Sequence, residues 1–209
     1  MLKKSKKIGL ISLLIAIMFI LTGSINAFAK NVSSKSTNKN QVQAQKILSD
    51  IDNYQKDYFT IVKRNDVLLF FEDVPELNND RKELKKLFAN VKKKVKNKNY
   101  LKEYKQIEKK YSKCSCYDEE TMDCINEFAQ NHNKEIDTLL NTVYKEVQTK
   151  ISPKDLKNLT KSENKWLKEV EEYEKTYNAN EFGSLGTSTY YDYQTDMKSF
   201  RTLLLMLYL

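Results

Sequence analysis

Residues 137–166 read DTLLNTVYKEVQTKISPKDLKNLTKSENKW, and the fold follows from how this stretch is parsed. Before the Ile151-Ser152-Pro153 hinge, Ile136, Leu140, Val143, Tyr144 and Val147 recur every three or four residues, so they share one face of an α-helix. Beyond the hinge a second helix carries its own start signal. The Ser152 hydroxyl is placed to accept from the backbone N–H of Asp155 while Asp155 reaches back, and Pro153 at the first helical position gives up an N–H that would lack a partner anyway. Leu156, Leu159, Glu163, Trp166, Val170 and Tyr173 then keep the helical period. Two amphipathic helices joined by so short a turn predict an antiparallel hairpin, with Trp166 the largest apolar group available to seal it.

The wider composition agrees. With 209 residues, four Gly and two Pro, the chain is long enough to bury a core and poor in turn formers. The expected class is all-α: a small helical bundle with a C-terminal hairpin, a final helix and a separate N-terminal helical module.

The formal charge of +8 divides unevenly. Lys3, Lys4, Lys6 and Lys7 precede a 14-residue apolar run, Ile8 to Leu21, which leads to Ala27-Phe28-Ala29. A basic start, an apolar centre and an A-x-A end predict a secretory signal peptide over residues 1–29. The run is short for a membrane-spanning helix. From Lys30 to Lys113 there are 21 basic and 11 acidic residues; from Cys114 to Leu209 there are 11 basic and 17 acidic, so the balance swings from +10 to −6. That swing predicts a basic helical module over 41–113 and an acidic one over 114–209.

Taken in order, Lys30–Asn40 (KNVSSKSTNKN) is polar and aperiodic and reads as a disordered tether. From Gln41 a stripe of Ile47, Ile51, Tyr54, Tyr58, Ile61 and Val62 runs to Arg64. Asp66 is a candidate cap for Val67-Leu68-Leu69-Phe70-Phe71, an apolar run whose periodicity does not separate helix from strand, and Pro75 ends it. A basic helix over Asn79–Lys96 turns Leu84, Leu87, Phe88, Val91 and Val95 inward; Tyr100, Leu101, Tyr104, Ile107 and Tyr111 mark another. The lysine run within 92–96 reads as a solvated helix face with a secondary attraction to an anionic cell wall or membrane surface. Nucleic acid is not expected: 33 of the 36 basic residues are Lys, which lacks the planar fork of Arg. The last eight residues, Thr202–Leu209, are too few to span a bilayer and read as a final core helix.

All three cysteines, Cys114, Cys116 and Cys124, fall at the charge boundary. Outside the cytosol neighbouring cysteines pair, and with three thiols one is left free or bonds between molecules. A closed zinc site needs a fourth ligand, and the single histidine, His132, reads as an ordinary helix-surface residue. No metal and no cofactor are expected.

From Cys114 onward the chain resembles the LprI-like lysozyme-inhibitor N-terminal domain family, small secreted or surface-attached helical domains of bacteria. The resemblance rests on the order and spacing of several motifs: Cys114 or Cys116, Thr121-Met122-Asp123 and Cys124; then Asp137, Leu140, Asn141, Val143 and Tyr144; then Ser152-Pro153, Leu159, Trp166 and Leu167; and last Gly183-Ser184 and Arg201. It implies a Cys114–Cys124 disulfide, with Cys116 the alternative partner. In the family the Trp is followed by an Arg, an Asp and a Cys where this chain has Val170, Glu171 and Glu174, and the partner Cys is replaced by Tyr193. Both halves of a second disulfide are thus missing together, a loss of about 2–4 kcal/mol that aromatic burial by Tyr173, Tyr177, Tyr190, Tyr193 and Phe200 is expected to offset in part.

For catalysis the sequence offers no nucleophile beside a base, no G-x-S-x-G and no glycine-rich phosphate loop. The carboxylates of Glu169, Glu171, Glu172 and Glu174 read as a solvated helix face, so no enzyme is expected. The resemblance implies instead a secreted or cell-surface protein that inhibits a cationic, lysozyme-like hydrolase by binding it, the acidic segment supplying the complementary field. Glu171, Glu174, Glu181, Phe182 and Leu185 are the candidate contact residues. The alternative is a cell-wall or surface adaptor held by the basic module. Intact mass of secreted material, before and after reduction and alkylation, is expected to show loss of residues 1–29 and one thiol alkylated without reduction; a full-length mass or three reactive thiols would contradict this.

Overall fold

The computed structural model describes residues 37–65, 75–112, 121–176 and 186–209. Every regular element among them is helical: α1 (Thr37–Asn65), α2 (Asn78–Lys94), α3 (Lys98–Lys110), α4 (Met122–Lys150), α5 (Pro153–Thr176) and α6 (Gly186–Leu205). Short 3-10 turns, Pro75–Leu77 and Met206–Tyr208, precede α2 and follow α6. The all-α class stands as the periodicity predicts. The signal segment, Asp66 and the 67–71 run lie outside the described residues. α1 begins at Thr37, before the Gln41 expected from the pattern. No helix among the described residues is long and apolar enough to cross a membrane.

The boundaries have local causes. Ser152 Oγ accepts from the Asp155 N–H at 3.2 Å, and the Ser152 hydroxyl donates to the Asp155 carboxylate at 2.6 Å, so that carboxylate does not reach a backbone N–H. Pro153 opens α5 as predicted, and its ring disfavours a helical conformation at Ser152, so α4 stops first. Between α2 and α3 Val95 is extended, and the Asn97 side chain caps α3 by accepting from the N–H groups of Asn99 and Tyr100.

Residues Lys39–Leu209 form one compact unit, and of the unit before it only Thr37 and Asn38 are described. Within the larger unit α6 is surrounded. Tyr193, Met197, Phe200 and Leu203–Leu205 are buried, but so are Ser188, Thr189, Thr195, Ser199, Arg201 and Thr202. The C-terminal part of α6, residues 199–205, is buried all round and so occupies the middle of the bundle, while Thr187 and Asp192 nearer its start stay exposed. α4 runs closest along it, burying Ile136, Leu139, Leu140, Val143 and Val147. The turn from α4 to α5 is present, yet the more intimate neighbour of α4 is α6. The basic segment joins the same core: Ile51, Tyr58, Val62, Leu84, Val91 and Tyr104 pack in one apolar cluster with α4–α6. The Tyr58 ring stacks on Phe200 at 4.8 Å, with Phe88 against both.

At the centre lies Arg201, with no solvent exposure. Its Nε and Nη2 donate to Glu163 Oε1 at 3.0 and 2.5 Å, Nη1 donates to Gln55 Oε1 at 2.6 Å, and Nη2 also reaches Ser162 Oγ at 3.2 Å. Ser162 in turn donates to Asp52 at 2.8 Å, and Trp166 covers the guanidinium at 5.9 Å. Desolvating two ions costs several kcal/mol each, so the pair holds only because the guanidinium is hydrogen-bonded on several sides. One side chain thereby ties α1, α5 and α6.

Arg201→Met is expected to lower unfolding free energy by about 3–5 kcal/mol, because Glu163 is left charged and buried. The double variant Glu163→Gln/Arg201→Met should recover much of that loss in urea denaturation. Equal losses in single and double variants would contradict the pairing.

Candidate functional site

Helical spacing on four elements opens a cleft of ≈ 680 Å³. α2 presents Arg81, Lys85, Phe88 and Lys92, one turn or so apart; α6 presents Asp192, Thr195, Asp196 and Ser199; α3 adds Tyr104 and Glu108, and α4 adds His132. The α2 side is therefore basic, while the α3 and α6 side is acidic.

Burial sets the chemistry of these groups. Asp196 accepts from the Tyr58 hydroxyl at 2.8 Å. Loss of hydration nonetheless pushes its carboxyl up to about 7, with Glu108 and Asp192 adding to the rise; the Tyr58 bond and Lys92 pull the other way and are outweighed. Asp192, at the mouth, keeps solvent access, yet the surrounding walls raise it to about 6. Burial lowers the Lys92 ammonium, which lies over the rings of Phe88 (5.7 Å) and Tyr104 (4.9 Å). His132 Nε2 stands 3.4 Å from Glu108 Oε1, and its ring stacks on Tyr111 at 4.5 Å. The Tyr104 hydroxyl is buried, with Ser199 and Glu108 beside it but no hydrogen bond of good geometry; withdrawal from water, with the charges of Glu108 and Asp196 adding to it, raises its ionisation well above the usual phenol range.

Asp192 and Asp196 stand four residues apart on one face of α6 and so lie side by side. Glycoside hydrolysis needs two carboxyls flanking a bond from opposite sides. What the arrangement favours is holding a polar group between sides of opposite charge.

The residues singled out from sequence lie elsewhere. Glu171 is exposed on α5. Glu174, expected in a solvated face, is half-buried: it accepts from Gln194 Nε2 at 2.7 Å and Tyr190 Oη at 3.4 Å, and burial raises its carboxyl. Glu169 pairs with Lys63 of α1. Of that face only Glu171 and Glu172 are exposed. Glu181, Phe182, Leu185, Gly183-Ser184, Tyr177, Cys114 and Cys116 lie outside the described residues; Cys124 sits in the first turn of α4. Within the lysine run, Lys93, Lys94 and Lys96 are exposed, with Lys94 3.8 Å from Asp50, while Lys92 faces the cleft.

The signature residues build the α4–α6 seam and the centre. Asp137 meets Lys198 at 2.9 Å and accepts from Asn141 at 3.1 Å; Asn133 accepts from Lys198 at 2.9 Å and donates to Thr195 at 3.2 Å. Leu140 is buried, Tyr144 half-buried, and Trp166 covers Arg201. Where the resemblance implies a second disulfide, between the positions of Glu174 and Tyr193, the same two helices meet through rings and hydrogen bonds. Tyr173 of α5 packs edge-to-face on Tyr193 of α6 at 5.3 Å, and Gln194 donates to Glu174.

Sequence reasoning missed the cleft. The available signal was the Asp192/Asp196 pair at one-turn spacing inside the final helix, and His132, which is not an ordinary surface residue but packs between Glu108 and Tyr111.

Residues 112–205 match the family model described as lysozyme inhibitor LprI. The match takes in α4, α5 and α6 and stops where α6 stops. No curated protein and no solved structure matches the chain.

Asp196 has a folded-state pKa raised above its unfolded value near 4, so its stabilising contribution is full below that value and is lost as pH rises through about 7. Asp196→Asn, which keeps an acceptor for Tyr58, is expected to match the parent at pH 4 and exceed it by about 1–3 kcal/mol at pH 8. A difference that does not change with pH in chemical denaturation would contradict the buried carboxyl.

Proposed function

We propose, from the family match over residues 112–205, that the protein acts outside the cell as a non-catalytic inhibitor of a lysozyme-type cell-wall hydrolase. That match is the observation that carries the reading. Charge supports it: the segment from Cys114 has 17 acidic against 11 basic residues, and an acidic surface is the complementary partner for a cationic enzyme. The contact is assigned to the outer face of α5, where Glu171 and Glu172 are exposed, and to the adjoining segment with Glu181, Phe182 and Leu185. Glu174, held by Gln194 and Tyr190, positions that face rather than offering a free carboxylate.

Export by the 1–29 segment belongs to the same proposal, as does a Cys114–Cys124 bridge, with Cys116 as the alternative partner; in support, Cys124 carries no free thiol. Adhesion to an anionic wall through Lys92–Lys96 has less behind it, since Lys92 is turned into the cleft and Lys94 has Asp50 and the Tyr54 ring beside it.

In a turbidity assay the purified chain at stoichiometric excess is expected to slow lysis of bacterial walls by lysozyme, and Glu171→Lys, at an exposed position, to weaken inhibition by about tenfold. An unchanged lysozyme rate would remove the inhibitor reading; full inhibition by Glu171→Lys would move the contact off α5.

A further inference from the structure

We propose that the cleft among α2, α3, α4 and α6 binds a small zwitterion, an amino acid or short peptide whose ammonium lies toward Asp192 and Asp196 and whose carboxylate lies toward Lys85 and Lys92. A volume of ≈ 680 Å³ is that of a small-molecule site. Lys85 and Lys92 share one face of α2, and Asp192 and Asp196 share one face of α6; all four line the cleft. No ion pair within 4.0 Å joins either lysine to Asp192, Asp196 or Glu108, so the opposite charges are left for a guest rather than spent on each other. They are near enough to act together, since Lys92 and Asp196 each feel the other's charge.

A second feature points the same way. The Tyr104 hydroxyl lines the cleft on a residue only 1% exposed; Glu108 and Ser199 stand beside it, yet neither makes a well-formed hydrogen bond with it. A buried donor without a well-formed bond is unfavourable, and a ligand oxygen would remove that penalty. The rings of Phe88 and Tyr104 supply apolar wall for the short chain between the two charged ends. A simple anion would meet Asp192 and Glu108, and a simple cation would meet Lys85 and Lys92; a molecule with both charges satisfies both sides. Because α2 and α3 lie outside the matched 112–205 segment, this site stands or falls independently of lysozyme inhibition.

The test is calorimetric titration of the full chain with L-alanyl-L-alanine, its N-acetyl form and its C-terminal amide, with amide ¹H–¹⁵N spectra to locate the contact. The free dipeptide is expected to bind and to shift amides of α2 and α6, and each blocked form to bind at least about tenfold more weakly. Lys85→Gln and Asp192→Asn, both at exposed positions and checked for unchanged circular dichroism, should each weaken the free dipeptide by about five- to tenfold. No heat or shift up to about 10 mM dipeptide, a concentration that fills even a site of about millimolar Kd, would overturn the proposal. So would equal binding of all three forms, loss on blocking only one end, or shifts confined to other helices.

Discussion

A guanidinium without access to water is the constraint from which the arrangement of this protein follows. Arg201 needs an anion and several further acceptors, and no single helix can supply them. Glu163 and Ser162 come from α5 and Gln55 comes from α1, so α6 has to pass between those two helices. With α6 in the middle, its hydroxyl residues must be buried too, and Thr195 and Thr202 satisfy themselves on Asn133 and on the carbonyl of Lys198. Surface contacts such as Lys63–Glu169 contribute at most about 1 kcal/mol each and are trimming by comparison.

The same placement makes the cleft. α6 shows one face to Arg201's partners and another, carrying Asp192 and Asp196, toward α2 and α3. Tyr58 links the two regions, stacking on Phe200 while donating to Asp196. Two separate surfaces result. The outer face of α5 offers exposed carboxylates suited to a cationic protein, and the cleft offers both signs of charge around a half-enclosed volume suited to a small molecule.

Much of the class was legible because it is written in short-range pattern. The period of Ile136, Leu140, Val143 and Val147 becomes a buried face, and Ser152-Pro153 starts α5 with the predicted serine cap. The centre was less legible for a physical reason. Arg201 stood out only through the family resemblance, and Gln55, 146 residues away, nothing in local sequence connects to it. α6 was legible as a core helix only at its apolar end; along the rest of it buried Ser188, Thr189, Thr195 and Ser199 interrupt the apolar stripe that would have marked how far its burial extends. Glu174 reads as one more solvated carboxylate until Gln194 and Tyr190 are seen closing over it. The swing in charge near Cys114 is real in composition, and residues from both sides of it nonetheless share one apolar cluster. Charge patterning reports surfaces, whereas packing is decided by the faces turned inward.

Native-state hydrogen exchange tests most directly whether Arg201 holds α1, α5 and α6 as one cooperative body. Amides flanking Gln55, Glu163 and Arg201 are predicted to exchange through a single global opening, with one shared free energy and one shared denaturant dependence. Exchange of the Gln55 segment through a distinctly cheaper opening, with the Glu163 and Arg201 segments still protected, would contradict it.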